Sequence, residues 1–413
     1  MSPVLPFDII ALIIDIVGEN NDTNLLQELA LVSHPFLHIC SKHQFATVDL
    51  HDIDRTRCHI ASKKRFVRLL ESRPDVVNYI RKLTYTIEHD HVRLPHISPH
   101  LNFDNDDNLL SPILPNFLRT IPRLNSLKIN ASLLVWNDLN PSLTSAFLHL
   151  MHLPTINHID LSNIYNFPLS SLTPSVNLLR LDMSRLRCSG GDRSPEFVVQ
   201  SEIMPKIREF RTFDSSLLMT KLLHAKTQDG QPVFNFMNLR RVTMSSSRLQ
   251  DHQNIRCLLQ NAKSLEKLHL YIQVGHQSLV GLHGIPFISA CTLKVFNLSV
   301  SLYSNPLMLW EELDTMVGLN MLESLSFEFQ VDGYDSEDFV GSVLQKAEGI
   351  LVKPKWPALR QVSIKIEIIP TEDNAEFVEA LQSLPDKYLR HLPNHESVAF
   401  NFSAYVPSAY VSD

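Results

Sequence analysis

The chain has 413 residues, 44% hydrophobic and 20% charged, enough for one large core or an elongated stack. Its formal charge of −7 argues against general nucleic-acid binding, and no apolar run approaches the roughly 20 residues of a membrane span. Five cysteines, Cys40, Cys58, Cys188, Cys257 and Cys291, are odd in number, widely spaced and free of CxxC pairing, which predicts reduced, mostly buried thiols and a cytoplasmic or nuclear location. The first residues are apolar but lack a basic stretch and carry Asp8 and Asp15, so they do not read as a signal peptide.

The first predicted element is a helix over Ile9 to Val17. At about 100° per residue, Leu12, Ile16, Ile9, Ile13, Val17, Ile10 and Ile14 sweep an arc of roughly 200°, with Ala11 and Asp15 facing the other way. A surface helix needs an apolar stripe of about 100°, so this one has a second face to cover. Pro6 fits its first turn, Asp8 complements its positive end, and Gly18 is expected to take a left-handed stop. Asp22 and Thr23 mark the start of a second helix through Leu25, Leu26 and Leu29. Ser33 before His34-Pro35 marks a third, carrying Phe36, Leu37 and Cys40, and a strand-like FATVDL follows.

This order of residues, LPFDII, LALVSHPF and FATVDL, resembles the F-box family, in particular the F-box-like domains of fungal proteins. The resemblance covers about an eighth of the chain and departs from the family's pattern at Asp8, where glutamate is usual, and in the polar ENNDTN. It implies docking on a Skp-family adaptor of a cullin-RING ubiquitin ligase through Leu5, Pro6, Ile9, Ile10, Ile13, Leu31, Val32 and Phe36.

Next comes SKKRFVRLLESRPDVVNYIRKL, which places Phe66, Leu69 and Leu70 on one helical face and Lys63, Lys64, Arg65 and Arg68 away from it. From about residue 75 a unit of the form apolar-x-x-apolar-x-apolar recurs. It occurs ten times, from Ile80, Leu83, Tyr85 to Leu359, Val362, Ile364. Its best self-match is INHIDLSNI at 156 against LLRLDMSRL at 178. Spacings of the middle positions run from 22 to 44 residues, centred in the high twenties, which is the leucine-rich-repeat range with insertions, and the last two apolar positions alternate as in a strand with one face on a core. Amphipathic stretches such as LTSAFLHLMHLP and EDFVGSVLQKAEGIL lie between the units.

The expected fold is therefore α/β. A three-helix F-box-like segment (1–50) and a connecting helix (51–75) precede an irregular leucine-rich-repeat-like solenoid (76–400) with parallel strands on its concave face and helices outside, and a tail (401–413) follows. An ordinary α/β domain with chance pattern matches is the alternative.

Metal and catalytic motifs fail on spacing. Asp104, Asp106 and Asn108 begin like a calcium loop, but Leu109 stands where the turn needs glycine, and Ala399 replaces the second histidine of the zincin-like pattern opened by His395-Glu396. His89, His91, His96 and His100 read as a polar insertion. No phosphate loop, dinucleotide fingerprint or nucleophile elbow is present, so neither a cofactor, a metal nor enzyme activity is expected.

Function is then expected on the strand face. The side chains beside the apolar pairs include Asp160, Asp182, Arg180, Arg211, Arg241, Lys267, His269 and Tyr271, and the arginines, Lys267, His269 and Tyr271 are candidates to hold a protein target. The leading expectation is a substrate receptor of an SCF-type ubiquitin ligase. A repeat scaffold whose N-terminal helices only cap the solenoid is the alternative, with an enzyme such as a hydrolase third.

Overall fold

The computed structural model describes residues 6–20, 22–51, 63–87, 113–187, 204–227, 229–272, 291–301, 310, 313–314, 321–332, 337–351, 356–369, 375–392 and 398–406. The protein is α/β and divides into two compact units, Met1–Pro205 and Lys206–Asp413.

The first unit opens with helices α1 (Phe7–Glu19), α2 (Thr23–Ala30) and α3 (His34–Gln44). Asp22 caps α2 by accepting from the Leu25 N–H at 3.1 Å, and Ser33 caps α3 by accepting from the Phe36 N–H at 3.4 Å. Gly18 does not act as a left-handed stop, because α1 runs on to Glu19 and its C-cap, Asn20, stays right-handed with φ −77°. Its lack of a side chain matters for packing instead, since a Cβ there would collide with the His43 ring.

Five parallel strands follow: β1 (Thr47–Leu50), β2 (Lys82–Ile87), β3 (Ser126–Val135), β4 (His158–Tyr165) and β5 (Arg180–Ser184). Helices α4 (Lys63–Ser72), α5 (Ile113–Thr120) and α6 (Pro141–Met151) lie between them in the chain. The expected division at residue 50 is not a structural break, because β1 pairs with β2 and the Ala46 carbonyl accepts the N–H groups of Arg81 and Lys82.

The second unit carries β6 (Glu209–Phe213), β7 (Arg241–Ser246), β8 (Lys267–Ile272), β9 (Val295–Ser301), β10 (Ser324–Asp332), β11 (Gln361–Ile369) and β12 (Ala399–Tyr405), again all parallel. Its helices are α7 (Ser216–His224), α8 (Leu249–Asn261), α9 (Glu337–Leu351) and α10 (Ala375–Tyr388). Strand pairing passes residue 400, where a tail was expected, because Phe400 and Phe402 continue the alternation that pairs with Val362 and Ile364.

The repeated apolar positions set the register. Leu83, Leu127, Ile159 and Leu181 are successive partners in the first unit. In the second, Phe210, Val242, Leu268, Phe296, Leu325 and Val362 are. All ten are at most 1% exposed. The side chains two residues along pair in the same way and are also buried, among them Ile129, Leu161, Leu270, Leu298 and Phe327. Alternate residues of each strand are thereby directed to the opposite face.

Several neighbouring strands are also joined by a recurring backbone device. The carbonyl of Arg81 accepts the N–H groups of both Asn125 and Ser126, and that of Asn125 accepts those of Asn157 and His158. Arg208, Arg240, Glu266, Lys294 and Glu323 repeat the arrangement in the second unit. Because the acceptor is backbone, the position needs no particular side chain.

Candidate functional site

In the N-terminal helices a small core forms from Ile14, Leu26 and Cys40, surrounded by Ile10, Val17, Leu29, Ala30, Phe36 and Ile39. Asp15 accepts hydrogen bonds from His43 Nε2 at 2.6 Å and Lys42 Nζ at 3.2 Å, bonding α1 to α3. The His43 bond above all, with Lys42 assisting, holds the Asp15 carboxyl below its ordinary range against the opposing effect of burial.

Ile10, Ile14 and Val17 consume one face of α1. The remaining apolar side chains, Ile9, Leu12, Ile13 and Ile16, lie between 44% and 56% exposed, with Phe7 at the helix start and Leu31 and Val32 after α2 exposed as well. Of the residues implicated by sequence, Pro6, Ile9, Ile13, Leu31 and Val32 are exposed. Ile10 and Phe36 pack on the small core instead, and Leu5 lies outside the described residues. Phe7, Leu12 and Ile16 were not among the expected site residues, although the helical projection already placed Leu12 and Ile16 in the arc of Ile9 and Ile13.

A second candidate lies on the strand face of the second unit, where Glu209, Arg211, Arg241, Thr243, Lys267, His269 and Asn297 line a 210 Å³ cavity with Val295. Strand register puts Glu209, Arg241 and Lys267 in one row and Arg211, Thr243, His269 and Asn297 in the next. Arg241 bonds Glu209 at 3.1 Å. Beyond them Tyr271 stacks against His269 with ring centroids 4.2 Å apart and lies 5.5 Å from the Phe213 ring.

Glu328, on β10 opposite Ser299, accepts hydrogen bonds from Ser299 at 2.8 Å and from the Tyr405 hydroxyl at 3.3 Å. Burial, helped by Arg211 and opposed by Glu328, lowers the His269 pKa, whereas burial and Glu328 raise that of Tyr271. His269 is thus held towards its neutral form.

Five of the expected target-binding residues, Arg211, Arg241, Lys267, His269 and Tyr271, belong to this one cluster. Arg180 belongs to another, in the first unit. Its guanidinium donates to Asp182 at 2.7 and 3.1 Å, and Asp182 also binds His158 Nε2 at 3.2 Å, while His158 Nδ1 meets the Ser126 hydroxyl at 2.9 Å. Burial would raise the Asp182 pKa, but the bonds from His158 and Arg180 together outweigh it and hold the group below its ordinary range.

The Ser126–His158–Asp182 chain has the residue order of a hydrolytic triad but with the ring nitrogens exchanged, Nδ1 towards Ser126 and Nε2 towards Asp182, and its members sit on three different strands, where no sequence motif records them. The N–H groups of Asn125 and of Ser126 itself are committed to the Arg81 carbonyl. Its evident effect is to tie β3, β4 and β5 together.

The cysteines are less uniform than expected: Cys40 is buried, Cys257 half-buried and Cys291 exposed, and Cys58 and Cys188 lie outside the described residues. So do His89, His91, His96, His100, the Asp104–Asn108 run and the His395-Glu396 pair. Among the described residues no group of three or more His, Cys, Asp or Glu is placed to hold a metal, and no helix is long and apolar enough to cross a membrane. No family model matches the chain, and a search of curated proteins gives no match.

Proposed function

We propose that this protein is the substrate-recognition subunit of an SCF-type cullin-RING ubiquitin ligase. In this reading an F-box-like segment holds a Skp-family adaptor and an irregular leucine-rich-repeat-like solenoid receives a protein target. The observation that carries the reading is the uncovered apolar arc of α1, Ile9, Leu12, Ile13 and Ile16, on the segment whose sequence resembles an F-box. Exposed apolar surface that is contiguous on one helix marks an interaction site more often than scattered apolar residues do. The receptor would act by holding its target near a ligase supplied by other subunits, raising the local concentration of target lysines.

The scaffold alternative asks the N-terminal helices only to cap the repeats. Capping contacts are made by α3 and β1, through the Tyr79 hydroxyl on His38 Nδ1 at 2.8 Å and the β1–β2 pairing, and they leave the arc of α1 uncovered. A cap does not require that arc.

The test is capture of purified Skp-type adaptor by the full-length chain and by the Ile9→Asp/Ile13→Asp variant. Capture by the parent and its loss in the variant is the expected result. Failure of the parent chain to capture adaptor sinks the proposal.

A further inference from the structure

We infer that the β6–β9 strand face of the second unit is a docking groove for an acidic peptide segment carrying an apolar side chain beside its anionic groups. The inference deepens the receptor reading, on which it rests, by giving the target a chemistry.

It begins with a conflict in the unliganded protein. Arg241 and Lys267 are direct partners across β7 and β8, and like charges placed opposite each other on one sheet face repel. Glu209 relieves Arg241 from the other side. Lys267 and Arg211 make no ion pair among the described residues, and both are exposed. Three cations thus share a cavity lined by a single carboxylate, with His269 held towards its neutral form by burial and by Arg211. An arrangement that costs stability without a compensating contact is what a binding site looks like before its ligand arrives. Two or more carboxylates, or a phosphate group, would offset the repulsion.

Two further features fix the kind of ligand. Phe213 and Tyr271 form an aromatic platform one row beyond the cations, suited to an apolar side chain adjacent to the acidic ones. From β9 onward the face changes character: Asn297, Ser299, Ser324, Ser326 and Ser363 are short, and Glu328 sets a carboxylate in the row of Tyr271 and Ser299, with Lys365 as its register partner on β11. Short side chains beside long cationic ones give room for a backbone, and the clustered Arg211, Arg241 and Lys267 seat the anionic part over β6–β8, a pattern that suits an extended segment better than a compact small anion.

The experiment is fluorescence anisotropy with the full-length chain and three labelled synthetic peptides: glutamates flanking one phenylalanine, the same peptide with phosphoserines for glutamates, and the same with lysines. The expected result is salt-sensitive binding of the glutamate or the phosphoserine peptide, with the stronger of the two identifying the anion, and a loss of roughly tenfold or more in Arg211→Glu/Lys267→Glu. Both substituted side chains are exposed, so circular dichroism should show this variant folded. Binding of neither anionic peptide, equal binding of the lysine peptide, or binding undiminished in the variant overturns the inference. Adaptor capture depends on α1, so a chain that captures adaptor but binds no acidic peptide removes this inference alone.

Discussion

Asp182 shows how far one buried side chain can be asked to hold neighbouring strands together. Its carboxylate takes bonds from Arg180 on its own strand β5 and from His158 on β4, and His158 passes the connection to Ser126 on β3. A carboxyl whose pKa is lower folded than unfolded contributes stability that is fully present above the unfolded value, about 3.9, and is lost as pH falls through the lower folded value. Asp182→Asn should therefore cost about 1–3 kcal/mol at neutral pH and flatten the acid limb of the unfolding profile, measured by urea titration across pH. An unchanged acid limb would show that other carboxylates carry it. Gly18 makes a separate demand. Gly18→Ala places a methyl group against the His43 ring, which also bonds Asp15, so the ring must move or the bond must break. The expected cost is about 1–3 kcal/mol, read as a lower thermal midpoint, and His43→Ala in the same background should recover part of it by making room.

At the scale of the element, α1 separates what folds the segment from what is proposed to bind a partner. Ile14 is 1% exposed between Leu26 and Cys40, so Ile14→Ala should cost about 2–5 kcal/mol. Ile9→Asp/Ile13→Asp lies on the uncovered arc and should leave stability within about 0.5 kcal/mol of the parent while abolishing adaptor capture. A large loss of stability in the double variant would mean that the arc is covered within the chain. The existence of two faces was legible in the sequence, because seven apolar residues spread over twice the arc that one contact needs. Which face turns inward was not. Asp15 lies off the apolar arc, where the projection puts it, and its bond to His43, a partner 28 residues away, is what the projection does not contain. Long-range side-chain bonds leave no local periodicity to read, and the Ser126–His158–Asp182 chain was missed for the same reason.

For the molecule as a whole, the repeat was the most legible feature, since a pattern of apolar residues that sets strand register has to be written into every copy. The joints were not legible. They use a backbone carbonyl that takes two N–H groups from the next turn, and any residue supplies one. β12 was likewise missed, because Phe400 and Phe402 follow residues 393–397 with no full apolar unit before them. In such a ladder each strand contacts mainly its two neighbours, so stability within a unit is approximately a sum of local terms and nearest-neighbour interfaces. Leu298 tests this in the second unit: it is 1% exposed, in register between Leu270 of β8 and Phe327 of β10. Leu298→Ala should cost about 2–5 kcal/mol and leave a cavity bordered by those two strands. Native-state hydrogen exchange should then accelerate first at the amides of β8, β9 and β10, with β12, three strands from β9, following only at the level of global opening. Equal acceleration throughout β6–β12 would instead make the unit a single cooperative block and would remove the nearest-neighbour account of its stability.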